Sequence, residues 1–126
     1  MQPDLVPSLK RLRAEVDILW PNRSRVSDGW LGDAAHQLRS SDHNPDEMGR
    51  VHALDVTAKG VDNVRLVVAV THHPGVAFVI YRGFLYSQHH GFRPVTYEGA
   101  DPHISHVHIS VRHTTSGRRD PSPWLS

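Results

Sequence analysis

Residues 51–57 read VHALDVT, and their side chains alternate between the two faces of an extended chain. Leu54 and Val56 fall on one face and Asp55 on the other, because successive residues of a strand point to opposite sides of a sheet. This alternation predicts a half-buried β-strand. A carboxylate inside so apolar a strand is costly unless it is paired or bound to a metal. Asp55 is therefore a candidate functional residue.

A second strand is predicted at residues 107–111, at the end of the run HISHVHISV that covers residues 103–111. In this strand His106 and His108 share one face, whereas the apolar residues between them point to the core. Two imidazoles on one face can bind one metal ion, or one can bind while the other transfers protons. The alternative is the exposed polar face of a half-buried strand. His103, just before the strand, favours the functional interpretation.

Helices and a hairpin are predicted around these two strands. Apolar residues at spacings of four and three predict an amphipathic helix over residues 4–19. A short helix is expected at about 31–39, between turn-rich loops at 21–29 and 40–50. Residues 62–71 suit a helix capped by Asp62, although their valine content makes a buried strand the competing interpretation. Strands at 76–81 and 84–87 flank Arg82-Gly83 and predict a β-hairpin, and residues 88–102 are expected to form a polar loop.

The order of these elements predicts an α+β fold with an antiparallel sheet of about four strands backed by helices. No βαβ repeat and no glycine-rich phosphate loop after a strand is present in the sequence. A metal-binding cleft is expected on the open face of the sheet. Residues 1–113 are expected to form the domain, and residues 114–126 are expected to be a linker-like tail.

The composition limits which residues could bind a metal or act as a nucleophile, because the 126 residues include 11 histidines and no cysteine. Disulfides, thiolate zinc sites and a cysteine nucleophile are excluded, so a transition metal must be bound by imidazoles and carboxylates. The net charge of +1 gives no support to nucleic-acid binding. The sequence has no apolar run of membrane-spanning length. No signal peptide is expected, because the N-terminal charges are not followed by an apolar stretch.

A third candidate ligand lies in the turn-rich loop that precedes the first strand. Ser41-Asp42-His43 places an imidazole a short distance before Asp55 in the sequence, and loops held by a rigid strand are common positions for metal ligands. The alternative is a turn stabilised by its own side-chain hydrogen bonds. His43, Asp55 and a histidine of the second strand would make a His₂-carboxylate set with a position left for water, as in catalytic zinc sites.

These motifs resemble those of a known enzyme family. SSDHNPD at residues 40–46, GRVHALDV at 49–56 and PHISHVHISV at 102–111 are similar to the zinc D-Ala-D-Ala carboxypeptidase and L-alanyl-D-glutamate peptidase family. That family belongs to a wider group with lysostaphin and the hedgehog signalling domain. In particular, the motifs look like the peptidase module of actinobacterial phage endolysins. The resemblance covers about residues 28–112.

The resemblance implies a zinc peptidase that cleaves peptidoglycan stem peptides. By motif position, His43, Asp55 and His108 would be the ligands of Zn²⁺. Two departures from the family pattern are visible. Eleven residues separate His43 from Asp55, which is a longer loop than the family spacing, and Ser105 stands where many members carry an acidic general base.

Other residues receive expected roles from this comparison. His106 is the first choice for a catalytic role and His103 the second, and Asp101 is a possible orienting carboxylate or base. Arg39 could bind a carboxylate of the substrate, and the alternative for it is a surface arginine at a helix end. His36 is expected to have a structural role. His52 is assigned to the face opposite Asp55. The remaining paired histidines, at 72–73 and 89–90, are expected at the surface, and the alternative is that one of them lines the cleft.

The expected function is zinc-dependent hydrolysis of an amide bond in the stem peptide or cross-link of peptidoglycan, as in an endolysin module. One alternative is a non-catalytic zinc-containing domain that binds the cell wall. A less favoured one is a two-histidine phosphoesterase, since His103-Ile104-Ser105, His108-Ile109-Ser110 and His113-Thr114-Thr115 resemble its motifs. The expected partner is bacterial peptidoglycan, with no nucleic acid and no membrane insertion. A monomer fused to further domains is expected, made in the host cytoplasm and acting on the wall after release.

Overall fold

A computed structural model of the protein describes residues 2–32, 41–99 and 103–125. The helices in these ranges are α1 (Pro7–Leu19), α2 (Asn63–Thr71) and α3 (Thr115–Arg119), with a 3₁₀ turn at Gln88–His90. The strands are β1 (Asp4–Leu5), β2 (Arg50–Val51), β3 (Ala53–Thr57), β4 (Val76–Tyr81), β5 (Phe84–Ser87), β6 (Val95–Thr96) and β7 (His106–Val111).

The main sheet has five strands in the order β3-β7-β4-β5-β6, and every neighbouring pair is antiparallel. The strands that carry Asp55 and His108, β3 and β7, are therefore direct neighbours. A separate parallel pair joins β1 to β2. The predicted α+β fold with an antiparallel sheet is confirmed, with one strand more than the four expected.

One face of this sheet forms the core. Leu54 and Val56 of β3, with Val107 and Ile109 of β7, are at most 2% exposed, and they pack beneath α1 and α2. Burial of these aliphatic side chains is the main favourable contribution to folding. The opposite face carries Asp55, His106 and His108, so the polar residues of the two strands lie on the side of the sheet away from the core.

The helix predicted over residues 4–19 begins at Pro7, which occupies the first helical turn where its missing N–H costs nothing. Asp4 and Leu5, before it, pair with Arg50 and Val51 instead. The helix predicted at 62–71 is confirmed as α2, and the Asp62 carboxylate accepts a hydrogen bond from the backbone N–H of Arg65 at 3.1 Å. Its competing interpretation as a strand is wrong.

The strand predicted at 51–57 is divided at His52. The backbone N–H of His52 donates to the carbonyl of Asp42, and its carbonyl accepts from Val111, so β2 ends and β3 begins on either side. The predicted hairpin is confirmed, and Arg82 and Gly83 at its turn have φ of 51° and 80°, as two-residue hairpin turns require. The loop predicted at 88–102 contains the two-residue strand β6, which pairs with Phe84 and Leu85.

The described part of the C-terminal segment does not behave as the linker that the sequence predicts. Trp124 and Leu125 are 4% and 8% exposed and belong to the core, and the Trp124 indole N–H donates to the carbonyl of Ser8 at 2.9 Å. The Trp124 ring stacks on the ring of His73 at 3.6 Å. His73, expected at the surface, is therefore buried, because a residue 51 positions away in sequence covers it.

Most of the helix predicted at about 31–39 lies outside the described residues. None of the helices within the described ranges combines the length and the apolar character that crossing a bilayer requires.

Candidate metal centre

Two of the expected ligands form a cross-strand pair. Asp55 of β3 lies directly opposite His108 of β7. The backbone of Asp55 is hydrogen-bonded to Gly29, on the side of β3 away from β7. The N–H of Asp55 donates to the carbonyl of Gly29 at 2.8 Å, and its carbonyl accepts from the N–H of Gly29 at 3.3 Å. Asp55 and His108 are thus a non-hydrogen-bonded pair, the arrangement that brings opposite side chains closest. Asp55 Oδ1 lies 3.1 Å from His108 Nδ1.

The third expected ligand, His43, is held by the chain segment that also flanks Asp55. The backbone carbonyl of His43 accepts from the N–H of Gly32 at 2.9 Å, and His43 Nδ1 donates to the carbonyl of Trp30 at 2.9 Å. This bond leaves Nε2 directed toward the site. Nε2 lies 3.1 Å from Asp55 Oδ2 and 3.2 Å from His108 Nδ1.

A buried ion-pair group fixes the supporting segment. Arg23, which is 4% exposed, pairs with Asp28 at 2.7 Å and with Asp17 of α1 at 2.9 Å. Asp28 also accepts hydrogen bonds from the backbone N–H and the hydroxyl of Thr57 in β3. Residues 28–32 are therefore tied to the strand that carries Asp55, and the position of His43 is coupled to that strand.

The geometry of the three side chains fits a metal ion. One ligand atom from each of His43, Asp55 and His108 lies within 4.8 Å of the others. Zinc–ligand bonds of about 2.0–2.1 Å place neighbouring ligand atoms of a tetrahedral ion roughly 3.3 Å apart, close to the observed 3.1–3.2 Å. Three lone-pair donors converge in this way only when a proton or a metal cation lies between them. Two imidazoles and one carboxylate suit zinc and similar divalent metals.

Ser110 is a supporting residue that sequence reasoning missed. Its hydroxyl lies 2.8 Å from His108 Nε2, and Ser110 is completely buried. With a metal bound, donation from Nε2–H to this oxygen would leave Nδ1 as the ligating nitrogen of His108. Metal-bound histidines generally donate their second ring N–H in this manner. The signal was present in the sequence, since Ser110 follows His108 at the two-residue spacing that keeps it on the same face.

The charges at the site stabilise one another without a metal. Burial opposes ionisation of Asp55, but hydrogen bonds from His108 and His43 outweigh it and lower the pKa of this carboxyl. Burial likewise disfavours the charged form of His43, but its hydrogen bond to Asp55 and the charge of that carboxylate raise the pKa of this imidazole. The Asp55 carboxylate is therefore ionised and available as a ligand at neutral pH.

His106 lies at the edge of the same cluster. Its Nε2 is 3.7 Å from Asp55 Oδ2, and its Nδ1 is 3.1 Å from the hydroxyl of Ser105. The side chain is 14% exposed, so it contacts both the ligand group and solvent. This position suits a proton-transferring group beside a metal site, the role that the sequence analysis assigned to it.

His103 contacts the cluster through its ring. The centre of this ring is 5.0 Å from the ring of His106, 5.4 Å from that of His108 and 5.4 Å from that of Tyr97. The backbone of His103 has a φ of 58°, which is uncommon for a residue with a side chain. Its carbonyl accepts from the N–H of Arg82, at the tip of the hairpin. The fold thus holds His103 in a strained conformation against two histidines of β7.

The other residues singled out in the sequence lie outside the described residues or away from the three candidate ligands. Arg39 and Asp101 lie outside the described residues, as does His36. His52, expected on the face opposite Asp55, is buried and stacks on the ring of His113 at 3.9 Å. His113 in turn lies 2.9 Å from Asp42, which is next to the candidate ligand His43 in the sequence.

The exposed histidines and the His-x-Ser/Thr segments also have defined positions in the fold. His72, His89 and His90 are exposed, as expected. The three His-x-Ser/Thr segments that suggested a phosphoesterase all lie on β7 or directly beside it, at residues 103–105, 108–110 and 113–115.

The fold and the cluster define an α+β protein with a candidate mononuclear metal site on the open face of its sheet. No protein-family profile, no curated protein and no solved structure matches this chain.

Proposed function

We propose that this protein is a zinc-dependent peptidoglycan peptidase that hydrolyses an amide bond in the stem peptide or cross-link. The observation that supports this proposal is the convergence of His43, Asp55 and His108 within 3.1–3.2 Å of one another, with a fourth imidazole beside them. Three protein ligands are typical of catalytic zinc sites, whereas structural sites have four. The motif resemblance over residues 28–112 supports a peptide of the bacterial wall as the substrate.

The proposed role of each residue of the site follows from its contacts. His43, Asp55 and His108 would hold the zinc ion, which would supply a Lewis acid that activates water and polarises a carbonyl oxygen. His106, which is partly exposed and adjoins Asp55, takes up and returns the proton during hydrolysis. His103 orients the ring of His106 through their contact at 5.0 Å. We assign recognition of a substrate carboxylate to Arg39 and the role of a supporting carboxylate to Asp101.

Phe78 and Ile80 would contribute an apolar floor next to the ligands. Phe78 stacks on the His108 ring at 5.5 Å, and Ile80 pairs with His108 across β4 and β7. An apolar surface there excludes water from one side of the site and strengthens its electrostatic interactions. The proposed setting is the host cell wall, which the protein would reach after release from the cytoplasm.

Ser105 favours one second candidate, a zinc-containing domain that binds the wall without cleaving it. Ser105 occupies the position of the acidic base in many members of the similar family, and a serine hydroxyl is a far weaker base than a carboxylate. In this case His106 would have no catalytic partner, and the metal would serve stability or ligand binding.

A digest of purified peptidoglycan separates the two candidates. The protein is stripped with a chelator and reloaded with zinc, and new amino termini are counted before the products are identified by mass spectrometry. We expect release only from the zinc-loaded protein, and loss of release in Asp55→Asn and His108→Ala. His89→Ala, an exposed histidine away from the ligands, is the matched control.

The His106→Gln variant tests the proton-transfer role. We expect it to bind zinc normally and to lose at least about a hundredfold in turnover, within the range for a general acid–base residue. Wall binding without any release by the zinc-loaded wild-type protein would favour the non-catalytic domain. Full activity in the presence of chelator would contradict the zinc mechanism.

A further inference from the structure

A second concave site lies where the N-terminal strand meets the C-terminal helix, and none of its lining residues is a candidate metal ligand. It is a cavity of about 300 Å³. Its lining residues come from the β1–α1 junction, from β2 and from α3: Asp4, Leu5, Val6, Pro7, Arg50, Thr115, Arg118 and Arg119. Segments distant in the sequence therefore build one site.

The charge of this cavity is predominantly positive. Three guanidinium groups, those of Arg50, Arg118 and Arg119, line it together with a single carboxylate, that of Asp4. Asp4 already pairs with the ammonium group of Lys10 at 2.7 Å. The cavity thus offers more positive charge than the residues around it neutralise.

Much of the hydrogen-bonding capacity of these arginines is unused. Arg50 donates from Nε to Asp46 at 2.8 Å, while its terminal nitrogens donate to no described residue. Within residues 2–32, 41–99 and 103–125, no carboxylate lies within ion-pair distance of Arg118 or Arg119. A guanidinium presents five N–H donors in a planar fork that matches the oxygens of phosphate and carboxylate groups.

The walls of the cavity are fixed by contacts that do not involve the arginine side chains. The hydroxyl of Ser8 donates to the carbonyl of Gly117 at 2.8 Å, which joins α1 to α3. Val6 donates to the carbonyl of Val51 at 3.1 Å, which joins the start of α1 to β2. The backbones carrying the charged side chains are therefore held in place before any ligand arrives, and this lowers the entropic cost of binding.

The inner wall of the cavity is packed, since Leu5 and Val6 are at most 2% exposed. Arg119 and Thr115, at the rim, are exposed to solvent.

We infer that this cavity is a binding site for an oxyanion, the phosphate or carboxylate group of a small molecule or a polymer. Arg118 and Arg119 supply the donors from one side and Arg50 from the other, and the Thr115 hydroxyl is a further donor at the rim. The inference does not depend on the proposed peptidase activity.

Nuclear magnetic resonance titration of the full ¹⁵N-labelled chain tests it. Inorganic phosphate and acetate are added separately at constant ionic strength, with chloride as the reference anion. We expect saturable shifts at the Nε–H signals of Arg50, Arg118 and Arg119. Saturation by phosphate alone identifies a phosphate site, and saturation by acetate as well identifies a site for either oxyanion.

Substitution of the arginines provides the second measurement. In the double variant Arg118→Gln/Arg119→Gln we expect the dissociation constant to rise at least tenfold. Arg65→Gln, an exposed arginine on α2 outside the cavity, should leave it unchanged. Circular dichroism melting checks that the double variant is folded, and Arg50→Gln gives an independent readout from the other wall. Shifts that do not saturate, or an unchanged constant in both cavity variants, would overturn the inference.

Discussion

At the level of single residues, Ser110 decides which nitrogen of His108 faces the ligand cluster. Its hydroxyl lies 2.8 Å from Nε2 of that ring. Replacement by alanine removes this partner, so the ring loses the contact that keeps its Nδ1 directed toward the candidate metal site. Partners of this kind typically contribute 10–100-fold to metal affinity.

We therefore expect Ser110→Ala to weaken zinc binding by about 10–100-fold, measured by competition with a chromophoric chelator. The matched control is Ser87→Ala, a buried serine of β5 whose hydroxyl has no hydrogen-bond partner among the described residues. Equal zinc affinities of the two variants would contradict a positioning role for Ser110.

The sequence pointed to the candidate ligands more clearly than to the contacts that position them. Asp55 and His108 could be found because each carries a polar side chain at a regular position in an apolar alternating strand. The contact that positions His43 could not be found in this way, because its partner is the backbone carbonyl of Trp30. Every residue has a carbonyl, so the sequence contains no signal that distinguishes this one. The surface position predicted for His73 failed because Trp124, which covers it, is far away in the chain.

The buried His52 predicts a dependence of stability on pH. Burial, and next the charge of His113, lower its pKa to about 4, against the opposing influence of Asp46 and Asp42. In the unfolded chain the pKa of histidine is about 6.5. Between these values the unfolded state binds more protons, so His52 makes the free energy of unfolding fall as the pH decreases from about 6.5 to 4.

Replacement of His52 by phenylalanine should remove this contribution. We expect the stability of His52→Phe relative to wild type to increase by on the order of 2 kcal/mol between pH 7 and pH 4. The measurement is urea unfolding of the metal-free proteins at several pH values. His89→Phe, at an exposed position, controls for the loss of a histidine as such. Parallel pH profiles of wild type and His52→Phe would contradict the buried neutral form.

At the level of elements, predictions succeeded where the stabilising pattern is local. The helix α2 has its cap at Asp62 within its own sequence, and the β4–β5 hairpin has its turn at Arg82-Gly83. The strand β6 is two residues long and exists only because it pairs with β5. So short a segment cannot show a period of two, and nothing in the sequence separates it from a loop.

The C-terminal segment is a clearer case of structure that depends on distant contacts and that the local sequence does not reveal. Its residues 116–126, SGRRDPSPWLS, have a composition typical of linkers. Its order comes from contacts with α1: the Glu15 carboxylate accepts hydrogen bonds from the backbone N–H groups of Trp124 and Leu125 at 3.0 and 2.9 Å. Partners more than 100 residues away determine whether such a segment folds.

Trp124→Ala should therefore destabilise the whole fold. The substitution removes a buried ring stacked on His73 and a hydrogen bond to Ser8, and we expect a loss of about 3–5 kcal/mol of unfolding free energy. Urea unfolding monitored by circular dichroism measures it. Pro123→Ala, at the exposed neighbouring position, should change stability by less than about 0.5 kcal/mol. A linker would tolerate both substitutions equally, and that result would contradict the packed segment.

At the level of the whole molecule, the candidate metal centre joins parts of the chain that the sheet alone does not hold together. Asp55 and His108 lie on adjacent strands, but His43 belongs to the loop before β2 and reaches them through residues 29–32. A metal ion bound to all three would bind the folded state and not the unfolded chain. Its binding free energy would therefore add to the stability of the fold.

We accordingly expect zinc to raise the melting temperature of the chelator-treated protein. Zinc at 100 times its dissociation constant adds about 2.7 kcal/mol, which for a domain of this size corresponds to a rise on the order of 10 °C. Differential scanning fluorimetry at several zinc concentrations measures the rise. Magnesium should give none, because it prefers six oxygen ligands.

Two variants show whether that stabilisation comes from the candidate site. Asp55→Asn keeps the shape of the side chain but replaces the charged ligand with a neutral amide, so the zinc-dependent rise should disappear whatever the melting temperature of the metal-free variant. Glu47→Gln removes one carboxylate from an exposed position outside the site and should keep the full rise. If Asp55→Asn retained it, the stabilising ion would have to bind elsewhere, and the assignment of His43, Asp55 and His108 as its ligands would be wrong.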